Sequence, residues 1–107
     1  PCGLSQLYSL KYGTVPVVRA TGGLADTITG LHETGAGSPP NGFTFQEYSA
    51  IALAETLRQA CDAYHQPELW RQLVTTGMSQ DWSWARSAKQ YVELYALTAQ
   101  RARQASA

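Results

Sequence analysis

Apolar positions change their rhythm several times along the chain, and each change marks an element. Leu4, Leu7 and Tyr8, with the stem of Lys11, recur at i, i+3, i+4 and i+7, which predicts a short helix that stops at Gly13 after Tyr12. Val15-Pro16-Val17-Val18 then runs apolar without alternation, the pattern of a strand covered on both faces in a parallel sheet, with its proline at the strand's start or on an edge. Thr21-Gly22-Gly23 turns the chain at that strand's carboxyl end, where open α/β sheets bind ligands. The Gly, Pro and Ser content of "TGLHETGAGSPPNG" predicts a surface loop, and Gly42-Phe43-Thr44-Phe45 a short strand or extended segment closing it.

Beyond that point the pattern is helical. Ser49 is placed to cap a helix carrying Ile51, Leu53, Ala54, Leu57, Ala60 and Cys61 on one side and ending near Tyr64. Pro67 suits the first turn of a second helix, with Leu69, Trp70, Leu73 and Val74 on its apolar face and Gly77 as its stop. Ser83 precedes a third, from Trp84 to about Arg103, on which Trp84, Ala88, Tyr91, Val92 and Tyr95 recur at helical spacing; the tail from Gln100 is expected to fray. One or two strands cannot make a doubly wound sheet of about five or six, so the layout predicts the last third of a larger Rossmann-like α/β domain, mostly helical with one or two short parallel strands.

Composition narrows the classes. A chain of 107 residues is one domain's worth, and its eight basic and eight acidic side chains cancel, which removes the general pull toward nucleic acid or an anionic membrane. Neither partner is expected. Cys2 and Cys61 have no C-x-x-C neighbour and predict neither a zinc site nor a disulfide framework, so no metal is expected. No apolar run approaches the ~20 residues of a membrane span, and no leader pattern is visible. The Pro at position 1 predicts a processed or excerpted chain.

The opening "PCGL" has a direct physical reading. A Gly-containing turn into a helix leaves backbone N–H groups unpaired with the positive end of the helix dipole behind them, and Gly3 removes the side chain that would block a phosphate or sugar. Residues 2 to 5 are therefore a candidate anion cradle, with the Leu4 amide offered and its side chain expected to be buried.

"PCGLSQLYSLKYGTVPVVRATGGLADT" resembles the C-terminal signature of bacterial glycogen synthases and plant starch synthases, glucosyltransferases of the GT-B fold; "NGFTF" and "DWSWARSAKQYVELY" extend the resemblance over nearly the whole chain. It implies a partial C-terminal GT-B domain over 1–107, with 1–45 the donor-site segment and 46–107 the terminal helices. It further implies retaining transfer of glucose from ADP-glucose to the non-reducing end of an α-1,4-glucan, with no cofactor, in the bacterial cytoplasm or plastid stroma. Cys2 and Gly3 match positions that approach the donor glucose, Leu4 one that offers its amide to the phosphates, and Thr21, Gly22 and Gly23 the loop beside that pocket. The glutamate expected immediately before Pro1 and the basic residues that neutralise the diphosphate lie outside the chain, so no catalytic residue is assigned and the chain alone is expected to be inactive. Where the wider GT-B pattern has a second glutamate the chain has Tyr8, so a ribose-binding carboxylate is not carried over. The alternatives are another GT-B glycosyltransferase using a different sugar nucleotide, or a non-catalytic helical interaction module.

Other residues have plainer readings. Cys2 is expected to line the pocket or serve structurally, Asp26 to cap or brace a turn, Arg19 to be solvated or ion-paired, and Trp70, Trp82 and Trp84 to act as core or interdomain anchors.

Overall fold

The computed structural model describes residues 3–33, 35 and 37–107. Its elements run α1 (Ser5–Lys11), β1 (Val17–Arg19), α2 (Gly22–Thr27), β2 (Phe43–Phe45), α3 (Ala50–Tyr64), α4 (Pro67–Ser79) and α5 (Trp84–Ala105). β1 and β2 pair in parallel, Val17 opposite Phe43, Val18 opposite Thr44 and Arg19 opposite Phe45. Pro16 precedes the strand, and its carbonyl accepts from the Phe43 amide, so the missing N–H costs the ladder nothing.

Local chemistry explains most boundaries. Gly13, at φ 80°, follows the Tyr12 cap of α1. The Ser49 hydroxyl accepts from the Ala52 amide at 3.1 Å and starts α3, and Pro67 opens α4. Gly77 does not end α4. It lies buried inside the helix because Leu10 of α1 presses there, with Leu10 Cδ2 at 2.8 Å from where a Cβ would stand. The Thr-Gly-Gly turn continues into α2, a helix the glycines conceal from any periodicity argument.

The core is small. Phe43, Ala60, Ala63 and Leu73 are buried together, with Val15, Val17, Leu31, Leu69 and Trp70 packed around them; Phe43 and Trp70 stack at 6.5 Å between centroids and Tyr64 meets Trp70 edge-on at 5.1 Å.

Three helix faces depart from expectation. In α1 the buried residues are Gln6 and Leu10, while Leu4, at 57% exposure, and Tyr8 face outward, so the Leu4 side chain is not buried as the sequence predicts. α1 packs on α4 and α2 through its 6/10 face, and the 4/7/8/11 stripe fronts an open cavity of about 450 Å³ closed on its far side by Met78, Trp82 and Trp84. In α3 the buried residues are Thr56, Ala60 and Ala63, whereas Ile51, Leu53, Leu57 and Cys61 are exposed. α3 lies so close to β1, β2 and α4 that small residues and a threonine fill the contact. The Thr56 hydroxyl donates to the Ala52 carbonyl and hides its polarity. α5 has no buried residue and stays helical past Gln100 to Ala105. Trp84, at 85% exposure, is no core anchor in this chain; Trp70 fulfils that expectation and Trp82 is half-buried.

Candidate functional site

The described residues singled out from the sequence lie in the turns that open α1 and α2. β1 ends at Arg19, and Thr21 leads directly into α2 there; β2 ends at Phe45, and α3 starts five residues later. α1 returns through the tight Gly13 turn into β1, which brings its N-terminus back toward the carboxyl ends of the strands, where parallel sheets receive ligands.

Gly3 adopts φ 61°, a left-handed conformation that side chains resist, and turns the chain into α1. No side chain caps α1: Leu4 holds the cap position with its carbonyl accepting from Tyr8 at 3.0 Å, so the first-turn N–H groups have no intrahelical acceptor. Thr21, extended at φ −144°, opens α2 without a side-chain cap, and Gly22 at φ 48° has open space where a side chain would start. Gly3, Leu4, Thr21 and Gly22 are solvent-exposed and Gly23 half-buried, so both turns are open to a ligand. Cys2 lies outside the described residues.

A buried polar chain joins the two turns. Gln6, 3% exposed, donates from Nε2 to Thr27 Oγ1 at 3.3 Å, and Thr27 Oγ1 donates to the Gly23 carbonyl at 2.7 Å. The periodicity of α1 had no place for Gln6; a polar residue directly flanking a candidate glycine turn was the available signal. Asn41 was equally silent. It is fully buried, accepting from the Thr29 amide at 2.8 Å and donating to the Thr27 carbonyl at 3.0 Å and to Gln80 Oε1 at 2.7 Å, and so fixes the end of α2 against the α4 terminus.

Arg19 is half-buried at the end of β1. Its Nε donates to the Gln46 carbonyl at 3.1 Å and its guanidinium lies 5.4 Å from the centre of the exposed Tyr48 ring. Asp26 is exposed at the surface of α2. His65 Nδ1 pairs with the Cys61 carbonyl, which accounts for its place at the end of α3. Asp81 accepts from the Ser83 amide at 2.9 Å, and its hydrogen bonds to Ser83 hold its carboxyl below the usual value.

Two short parallel strands with α1 and α2 at their carboxyl edge and three helices following make this the architecture of the C-terminal part of a GT-B glycosyltransferase domain. Within that class the chain is similar to glycogen synthases and starch synthases. It is 54% identical to a glycogen synthase of Moorella thermoacetica over 97 residues, which is 89% of this chain and 19% of that protein. It is 48% identical to one of Nitrosomonas eutropha over 107 residues, 99% of the chain and 21% of that protein. Among solved structures it is similar to the catalytic domain of starch synthase IV from Arabidopsis thaliana bound to ADP and acarbose, with 40% identity, a TM-score of 0.79, and coverage of 90% of this chain and 20% of that one. The chain thus spans about a fifth of the length of these relatives. No family model matches it.

Proposed function

We propose that this chain forms the donor-side C-terminal part of a retaining glucosyltransferase that moves glucose from ADP-glucose to the non-reducing end of an α-1,4-glucan, in glycogen or starch synthesis. The observation that carries the reading is the left-handed Gly3 turn entering an uncapped α1 beside the Gly22-Gly23 turn, in a chain about half identical to glycogen synthases. The whole of 1–107 is then one partial domain, 1–45 presenting the donor segment and 46–107 the terminal helices. Cys2 and Gly3 approach the donor glucose, the Leu4 amide faces the phosphates, and Thr21, Gly22 and Gly23 border the pocket. The similar starch synthase IV catalytic domain is bound to both ADP and acarbose, which supports a nucleotide donor and a glucan acceptor for this reading.

The chemistry asked of these residues is electrostatic. As the glycosidic bond to the nucleoside diphosphate breaks, negative charge grows on the leaving phosphate and positive charge on the sugar ring. Preoriented N–H groups at the start of α1 meet the growing negative charge without reorganising. None of the described side chains is assigned a bond-breaking role. Such an enzyme works in the bacterial cytoplasm or the plastid stroma, and no helix of the described residues is long and apolar enough to cross a membrane.

The test uses a full-length glycogen synthase carrying this chain in place of its own corresponding segment. ADP-glucose should support transfer to a maltooligosaccharide, and Gly3→Ala should lower kcat/KM about 100-fold, because a Cβ there meets Gln6 Oε1 at 3.0 Å and strains a φ of 61°. Transfer from UDP-glucose in preference to ADP-glucose would support a different sugar nucleotide. A chimera that folds yet transfers from neither would favour the interaction module.

A further inference from the structure

Gln6 is a buried polar residue that the function proposed above leaves unused. It sits in the first turn of α1, almost fully buried, and among the described residues only one end of its amide is satisfied. Which end is fixed by its neighbour. The Thr27 hydroxyl hydrogen is committed to the Gly23 carbonyl, so Thr27 Oγ1 is left with lone pairs and must receive a donor. Nε2 is the only end of Gln6 that donates, and it lies on Thr27. Oε1 is therefore the end left buried without a partner among the described residues, and it stands 3.0 Å from the position of a Cβ on Gly3, nearer than Nε2 at 3.7 Å. Buried acceptors are rarely left unpaired, and an exception next to a ligand turn calls for an explanation.

We infer that Gln6 is a positioning residue of the donor pocket: its amide nitrogen holds the Gly22-Gly23 turn through Thr27, and its free carbonyl oxygen is the acceptor on which the Gly3 turn settles when the donor binds. This rests on the donor site proposed above. The two turns belong to different helices and are joined in sequence only through β1. A single rigid amide spanning them sets their separation, which is what a diphosphate sugar held from both sides requires. The direction of the amide matters as well as its presence, because Thr27 Oγ1 accepts from Nε2 on one side, which leaves Oε1, an acceptor only, to meet the backbone N–H groups of the Gly3 turn on the other.

The experiment measures donor and acceptor kinetics on the full-length chimera with Gln6→Leu, Gln6→Glu, Thr27→Val and Thr27→Ser. Gln6→Leu removes both ends, Gln6→Glu sets an acceptor against an acceptor, and Thr27→Val removes the relay to Gly23. Each should raise the KM for ADP-glucose about tenfold while leaving the acceptor KM within about twofold. Thr27→Ser keeps the hydroxyl and should keep the parent's donor KM. Gln6→Leu combined with Thr27→Val should be no worse than Gln6→Leu alone, since both cut one chain. Donor KM values unchanged in Gln6→Leu and Thr27→Val overturn the inference. So does a parallel rise in both substrates' KM, or a Thr27→Ser variant as impaired as Thr27→Val. Should Gln6→Leu fail to fold, the Thr27→Val and Thr27→Ser pair decides alone. Absence of ADP-glucose transfer in the unsubstituted chimera would instead refute the donor reading itself.

Discussion

Asn41 shows how one side chain substitutes for secondary structure in a chain with only two short strands. Between α2 and β2 the backbone runs through a glycine- and proline-rich loop that supplies few ladder partners of its own. The Asn41 amide takes their place, satisfying Thr29, Thr27 and Gln80 at once from a fully buried position. It also delivers the chain to Gly42, where the Pro16 carbonyl at 2.7 Å and Ile28 Cγ2 at 2.8 Å leave no room for a Cβ. Replacing Asn41 by Ala strips three half-buried groups of their partner, and a fully buried unpaired group costs ~1–3 kcal/mol. Partial access of water at the cavity reduces the sum, so Asn41→Ala should destabilise the chain by about 3 kcal/mol. Urea unfolding followed by circular dichroism measures it, with a lower midpoint and an unchanged m-value expected. A midpoint equal to the parent's would mean that the loop is held by something other than this amide.

At the scale of elements, the starts of α3 and α4, the stop of α1 and the face of α4 were written in the sequence, and the faces of α1 and α3 were not. Ser49, Pro67 and Gly13 act locally through an accepted amide, a fixed φ and a left-handed turn, so their effect needs no knowledge of neighbours. A face depends on what covers it. Leu4, Leu7 and Tyr8 make the stronger apolar stripe of α1, yet the helix buries Gln6 and Leu10, because Gly77 of α4 admits Leu10 and Thr27 receives Gln6. The same held for the candidate site: the glycine turns were legible as turns, whereas Gln6 and Asn41 act across long sequence separations that no local pattern encodes. The start of α5 is local again and gives a prediction of sign. Asp81 is stabilised as the carboxylate by its hydrogen bonds to Ser83, with Arg86 and Lys89 adding to it, so its pKa is lower in the folded chain than its ordinary 3.8. A depressed carboxylate pKa contributes stability that is present above the unfolded value and is lost as the pH falls through the folded one. The Ser83 amide shift should accordingly titrate with a midpoint below 3.8, and α5 should lose its first turn on acidification through that midpoint; Asp81→Ala should abolish the titration. A Ser83 amide that follows the ordinary carboxylate range would show that the bond is not made in solution.

For the molecule as a whole, the long axis is the informative dimension. The radius of gyration is 17.7 Å and the extents are 61 × 28 × 27 Å, whereas a compact chain of this length has a radius near ~13 Å. The difference is α5, 22 residues and therefore ~33 Å long, projecting with Tyr91, Val92, Leu94, Tyr95 and Leu97 all exposed. Helices gain most of their stability from burying a face, and this one buries none within the chain. Its amides should exchange with solvent far faster than those of α4 and β2, whose Leu73 and Phe43 sit in the core, with protection rising only toward the Asp81 end. By the same argument Tyr95→Ser should change the unfolding free energy of the 107-residue chain by less than ~0.5 kcal/mol, while Leu73→Ala should cost ~2–5 kcal/mol. On the reading proposed above, in which 1–107 is one part of a longer domain, the outcome should reverse for α5 in the full-length chimera, with Tyr95→Ser lowering thermal stability and α5 amides gaining protection; the relatives are about five times as long as the chain. Hydrogen exchange on both proteins measures this directly, and equal, slow exchange of α5 in the chain and in the chimera would mean that the helix stands without a covering face.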